Sequence, residues 1–172
     1  MTATRFADQL NAQIGNEFAA HQQYVAIAVH YDSLTMPNLA AYFYRQALEE
    51  RDHAMMMVKF LLDTDEQVSI PGIAAPEGGF TDIGTPVALA LAQEKRVTQQ
   101  IYSLTRTARE ESDFAAEQFM QWFIKEQVEE VAAMNDLLTV VTRAKDDIQY
   151  IEEYAGQRPS EHDPTAPAPA GG

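Results

Sequence analysis

The chain has 172 residues, 46% of them hydrophobic, and carries 26 acidic against 12 basic side chains, a formal net charge of −14. That length suits one domain with a sizeable core, and the acidic balance excludes duplex nucleic acid and anionic membrane surfaces as partners, since both need a positive face. With no cysteine in the chain, disulfides, thiolate zinc sites and iron–sulfur clusters are excluded as well.

The first ten residues hold no apolar run of signal-peptide length, and nowhere do about 18 apolar residues follow one another. The expectation is a cytoplasmic protein that is neither exported nor membrane-spanning. Glycine and proline gather in a few places and leave long uninterrupted segments, which is a helical distribution. Residues 4–32 return Phe6, Leu10, Ile14, Tyr24, Ala28 and Tyr31 at helical spacing, with Glu17 in the middle of the stripe. After a short turn, Pro37 suits a first helical position and opens a second helix to residue 63. So short a connection makes the first two helices antiparallel neighbours. In the second, Glu50 and His53 stand three residues apart on the face that carries Leu39, Phe43, Ala47, Ala54, Met57 and Leu61.

Residues 65–85 contain Pro71-Gly72, Pro76, Gly78-Gly79 and Gly84, which no helix tolerates. A helix of about 27 residues is about 40 Å long, and about 20 extended residues reach over 60 Å, so this segment can return along a whole bundle. It is predicted to be a crossover that leaves helices two and three parallel. Thr85-Pro86 predicts the cap and first turn of a third helix to residue 110, with Val87, Leu91, Val97, Ile101, Leu104 and Ala108 inward and Glu94 among them. Ser112-Asp113 predicts a capping break before a fourth helix to residue 143, where Gln127 and Glu130 interrupt a stripe of Phe119, Phe123, Met134, Leu137 and Val141. A fifth helix over residues 145–155 is too short to stand alone and needs a docking partner. The expected organisation is one domain over residues 1–156 followed by a Pro/Ala/Gly-rich tail, 157–172, predicted to be disordered.

Each long helix thus places an acid in an otherwise apolar stripe: Glu17, Glu50, Glu94 and Glu130. With helices one and four pointing one way and two and three the other, all four fall near the middle of the bundle. Burying an ionised carboxylate costs several kcal/mol unless something compensates it, and the helix-two stripe has no Lys or Arg. For Glu50 and His53 alone, a core histidine bonded to a neighbouring acid suffices. For four converging acids, two divalent ions provide the compensation, and glutamate oxygen with neutral imidazole nitrogen suits iron, manganese or zinc.

Glu17, Tyr24, Glu49-Glu50-x-x-His53, Glu94 and Glu126-Gln127-x-x-Glu130 together resemble the ferroxidase centre of the non-haem bacterial ferritins, over residues 5–155. The resemblance implies an all-α, ferritin-like four-helix bundle with a long crossover between helices two and three and a short fifth C-terminal helix. It implies iron as the bound metal, two ions per subunit, with Glu17 and His53 as terminal ligands of the first, Glu50 bridging, and Glu94 and Glu130 holding the second. Gln127 would sit beside the centre as a weak ligand or as a support behind the ligands, Tyr24 would supply an electron or a hydrogen bond, and Glu49, Glu126 and Glu129 would form a third iron site. The alternative for that last trio is a solvated helix face. The implied activity is oxidation of Fe(II) by dioxygen, with Fe(III) stored as a hydrated oxide in a hollow homo-oligomer of 24 subunits with octahedral symmetry.

Symmetric di-iron bundles repeat Glu-x-x-His on two helices, whereas the second copy here reads Gln127-x-x-Glu130, which counts against the alternative of a rubrerythrin-type oxidase or peroxidase. Bacterioferritins carry a haem-ligating Met where this chain has Arg51, so no haem is expected, and Met55-Met56-Met57 reads as helix packing. Trp122 reads as core or interface packing, and His21 as a neighbour of the centre or a surface group. His30 and His162 read as solvated. Glu110, Glu111, Asp113 and Glu117 are candidates for the lining of three-fold pores.

Overall fold

The computed structural model describes residues 4–145 and 147–158. These form α1 (Arg5–Ser33), α2 (Pro37–Asp63), α3 (Gly84–Glu110), α4 (Phe114–Ala144) and α5 (Ile148–Gln157), with no strand among the described residues. None of these helices is long and apolar enough to cross a membrane.

The helix ends follow from local chemistry. The Thr4 hydroxyl accepts from Ala7 N at 3.1 Å, Asp113 from Ala116 N at 2.9 Å and Asp147 from Tyr150 N at 3.0 Å, each satisfying an amide that has no partner inside its own helix. At the start of α3 the predicted cap, Thr85, is corrected: Asp82 accepts from both Thr85 N at 2.6 Å and its hydroxyl at 2.7 Å, and the helix begins at Gly84, ahead of the expected Pro86. The carboxylate outcompetes the hydroxyl because it is charged at an N-terminus. The first three helices end alike. Thr35, Asp65 and Ser112 each adopt a left-handed φ near +58°, of 59°, 59° and 57°, and the next amide reaches back to Tyr31 O, Leu61 O and Ala108 O at 2.9–3.0 Å.

α1 packs antiparallel on α2 and α3 on α4. The crossover, residues 64–83, climbs along α1. Asn11 bonds Gln67 O at 2.8 Å and Ser69 N at 2.6 Å, the Gln23 amide makes paired bonds of 2.9 and 2.8 Å with the Glu77 backbone, and Tyr31 donates to Ile83 O at 2.6 Å. Gly15 is required midway, because a Cβ there would lie 2.5 Å from the Pro71 ring. The segment therefore delivers α3 to the end of the bundle where α1 finishes, and α2 and α3 run parallel. His30, expected in solvent, instead bonds Asp82 O at 2.9 Å and packs on Tyr31 and Phe80, pinning the last turn of the crossover.

The core is split into two apolar clusters. One holds Tyr24, Tyr31, Phe43, Leu91, Met134 and Leu137; the other holds Leu10, Ile14, Met57, Val97, Leu104 and Phe123. Every long helix passes from one to the other, and at each passage stands a polar residue: Glu17 between Ile14 and Tyr24, Glu50 and His53 between Ala47 and Ala54, Glu94 between Leu91 and Val97, Gln127 and Glu130 between Phe123 and Met134. The acids share one level because the helices share two apolar layers.

α5 starts three residues later than expected and runs through Gly156 to Gln157, so the expected boundary at 156 falls inside it; the remainder of the tail, 159–172, and His162 lie outside the described residues. The helix docks through Ile151 and Ala155, and Glu152 reaches the start of α2, accepting from Asn38 N at 3.0 Å and Leu39 N at 2.7 Å. Proline at the first position of α2 has no amide to satisfy, and Glu152 takes the next two. Glu152→Ala is expected to destabilise the protein by about 1–2 kcal/mol in denaturant unfolding and to speed amide exchange at Asn38 and Leu39 selectively; unchanged exchange there contradicts this capping role.

Candidate metal centre

Glu17, Glu50 and His53 are 0%, 1% and 2% exposed, and one donor atom from each lies within 4.8 Å of the others. α1 supplies the first and α2 the other two, whose i, i+3 spacing stacks them on one face. His53 Nδ1 is 3.3 Å from Glu50 Oε2 and 3.9 Å from Glu17 Oε2. Its ring is held edge-on by Trp122 and Phe123 at centroid distances of 5.5 and 5.7 Å. Trp122, read from sequence as packing, thus packs against the imidazole itself.

Glu94 and Glu130 are buried too, brought in by α3 and α4, and both lie within electrostatic reach of Glu50. The Tyr24 hydroxyl donates to Glu94 Oε1, and Gln127 Nε2 donates to Glu94 Oε2 at 3.1 Å and to Glu94 O and Thr98 Oγ1 at 3.2 Å. Gln127 therefore turns its amide nitrogen, not its oxygen, toward the centre. On the opposite side Gln13 Nε2 donates to Glu17 Oε1 at 2.8 Å. Glu17 Oε2 and Glu50 Oε1 accept no hydrogen bond from a described N–H or hydroxyl group.

Burial pushes the Glu50 carboxyl well above the usual carboxylate range, and the charges of Glu94, Glu17 and Glu130 push it further. Burial also raises Glu17, against the pull of hydrogen bonds to Glu50 and Gln13. Glu94 is raised to about 7 by burial, with the Tyr24 and Gln127 hydrogen bonds holding it down. Tyr24 is driven well above the ordinary phenol range by burial and by the charges of Glu94, Glu50 and Glu130, so it stays protonated and donates. Without a cation, the facing Glu17 and Glu50 carboxyls must share a proton. A divalent ion does the same work with more charge, and the open oxygens of Glu17 and Glu50 beside an imidazole form a donor set that fits iron, manganese or zinc.

The flank residues are placed unevenly. Glu126 is buried at 6% exposure, which removes the solvated-face alternative for it. Glu49 is half-buried and accepts from Gln46 Nε2 at 3.2 Å, while Glu129 is half-buried with Lys125 Nζ 3.8 Å away. His21 does not join the centre; its Nδ1 bonds Ala47 O at 2.6 Å. Sequence reasoning passed over Gln13 and Gln46. The signal for Gln13 was its i, i+4 spacing to Glu17.

The family model for the ferritin-like domain matches residues 7–144. The chain is 52% identical over 171 residues to Ferritin BfrB of Mycolicibacterium smegmatis, covering 98% of this chain and 94% of that one. It is 32% identical over 154 residues to the bacterial non-heme ferritin of Staphylococcus aureus, covering 90% and 93%. Among solved structures, the open pore ferritin of the hyperthermophilic archaeon Archaeoglobus fulgidus is similar with a TM-score of 0.87 at 25% identity, covering 92% of this chain and 98% of that one.

The raised acids fix the sign of a pH dependence. A free glutamate titrates near 4.5 and folded Glu94 near 7, so between these values the folded state holds a proton that the unfolded chain has released. Stability of the metal-free protein is expected to fall as pH rises through that window, by on the order of a few kcal/mol. Thermal unfolding across pH 4.5–8 tests this, with Glu94→Gln flattening the slope and saturating Zn(II) abolishing or reversing it. A metal-free stability that rises through the window contradicts the assignment.

Proposed function

The chain belongs to the ferritin family, and from that premise we propose that it stores iron and oxidises Fe(II) with dioxygen at the centre formed by Glu17, Glu50, His53, Glu94 and Glu130. The observation that carries the reading is the set of buried carboxylates at one level of the bundle, with open oxygens on Glu17 and Glu50 beside His53. Iron is the substrate. Two Fe(II) ions held side by side deliver one electron each to a single dioxygen, and anionic oxygen donors favour the ferric product over the ferrous reactant.

The protein's own groups set the geometry. Glu17 and His53 bind the first ion and Glu50 lies between the two sites. Glu94 and Glu130 bind the second, with Gln127 and Tyr24 steadying Glu94 through its two oxygens. Tyr24, kept protonated by its surroundings, is a hydrogen-bond donor to the second half and a nearby source of an electron. Where a symmetric centre carries Glu-x-x-His, Gln127-x-x-Glu130 keeps the same formal charge but supplies no imidazole, so the two halves hold iron differently, which suits iron in transit. Glu49, Glu126 and Glu129 form the exit side, where a third ion binds on its way to a mineral of hydrated ferric oxide. The assembly is a hollow cytoplasmic homo-oligomer of 24 chains, and haem has no part in it.

The test is mass measurement in solution combined with aerobic Fe(II) titration. With a chain of 19.2 kDa, 24 copies make a particle of roughly half a megadalton, and it should take up iron far beyond two ions per chain. Glu50→Ala and His53→Ala should abolish rapid oxidation in particles of unchanged mass, while Tyr24→Phe should slow it with metal binding retained. A small particle saturating at two ions per chain would indicate a di-iron oxidase instead.

A further inference from the structure

Gln13 sits one helical turn before Glu17 on α1 and is 2% exposed. Its amide is fixed from both ends. Asn16 Nδ2 donates to Gln13 Oε1 at 3.0 Å, and with the oxygen turned that way the nitrogen donates on the other side. It does so twice, to Gln100 Oε1 on α3 at 3.1 Å and to Glu17 Oε1 at 2.8 Å. A flipped amide would set oxygen against oxygen at Glu17, so an ionised Glu17 selects the orientation in which Gln13 donates.

We infer that Gln13 is a positioning residue for the first metal half: it holds Glu17 Oε1 out of coordination, so that Glu17 offers Oε2 alone, on the side of His53 Nδ1. Three observations support it. Glu17 Oε1 accepts the Gln13 bond, whereas Oε2 accepts none and faces His53 Nδ1 at 3.9 Å. The lock reaches across two helices, which fixes α1 against α3 at the level of the centre. Asn16 and Gln100 line a cavity of about 220 Å³ beneath crossover residues 74–77, whereas Gln13 is closed off behind them. The network therefore ends in solvent at its outer edge and at a ligand oxygen at its inner one. A carboxylate free at both oxygens can swing between chelating and single-oxygen binding; one fixed at a single oxygen presents the other in one geometry.

The inference rests on the metal-centre reading above, and its test separates the two. Co(II) is titrated anaerobically into the whole assembled protein, read by its d–d absorption, which reports coordination number. For Gln13→Leu the first Co(II) dissociation constant is expected to rise by about 10-fold or more, with altered band positions and intensity in a particle of unchanged mass and helix content. In Fe(II) oxidation the same variant should shift KM more than kcat. Asn16→Ala and Gln100→Ala, which leave Gln13 in place and remove one lock each, should give the same spectral change to a smaller extent. They serve as the readout if Gln13→Leu does not assemble. Spectra and affinities superimposable on those of the unaltered protein for all variants that fold overturn the role of Gln13. An unaltered protein that binds no Co(II) overturns the metal centre itself.

Discussion

Repulsion among carboxylates buried at one level of a helical bundle is the constraint that shapes this protein. Each of Glu17, Glu50, Glu94 and Glu130 is at most 3% exposed, and Glu50 lies within reach of the other three. Water cannot screen them, and no lysine or arginine joins them, since every lysine and arginine of the described residues lies outside the buried set. The surroundings answer with neutral donors. Gln13 holds one oxygen of Glu17, and Tyr24 and Gln127 hold the two oxygens of Glu94. Neutral hydrogen bonds moderate a buried charge without cancelling it, which is what a site that must still attract a cation requires.

The two halves of the centre differ for that reason. On the α1 and α2 side, Glu17 Oε2 and Glu50 Oε1 accept no bond from an amide or a phenol, and they stand with an imidazole braced by Trp122 and Phe123. On the α3 side, both oxygens of Glu94 already accept hydrogen bonds. The first half is open to an ion as it stands, while an ion at the second must share Glu94 with a phenol and an amide. The scaffold makes such fine placement durable: apolar layers above and below fix the height of each acid, and the crossover, clamped to α1 at Asn11, Gln23 and Tyr31, fixes where α3 begins.

Much of this was legible in the sequence because the governing pattern is local. A polar residue in a helical stripe of apolar ones reveals burial directly, and Pro37, the glycine- and proline-rich crossover and Asp113 mark helix boundaries by their backbone chemistry. What escaped is non-local. Glu111 accepts from Arg5 N and Phe6 N at 3.2 and 3.1 Å, and Glu152 caps α2, contacts between residues more than 100 positions apart. His30 appears surface-bound in sequence and is claimed by the crossover, and Gln13 looks like any polar residue of a long helix until Asn16 and Gln100 close around it. Asp82, one residue ahead of the N-cap position Ile83, takes the Thr85 amide and hydroxyl because two oxygens and a charge serve an N-terminus better than one hydroxyl.

Anomalous diffraction from crystals soaked anaerobically in Fe(II), recorded on both sides of the iron absorption edge, bears most directly on the claim that these acids are gathered to hold iron. The account predicts two adjacent iron peaks per chain at the level between the apolar layers, one in contact with Glu17, Glu50 and His53 and one with Glu50, Glu94 and Glu130. Iron found only on the acidic exterior, with the interior carboxyls still facing one another across shared protons, would contradict it.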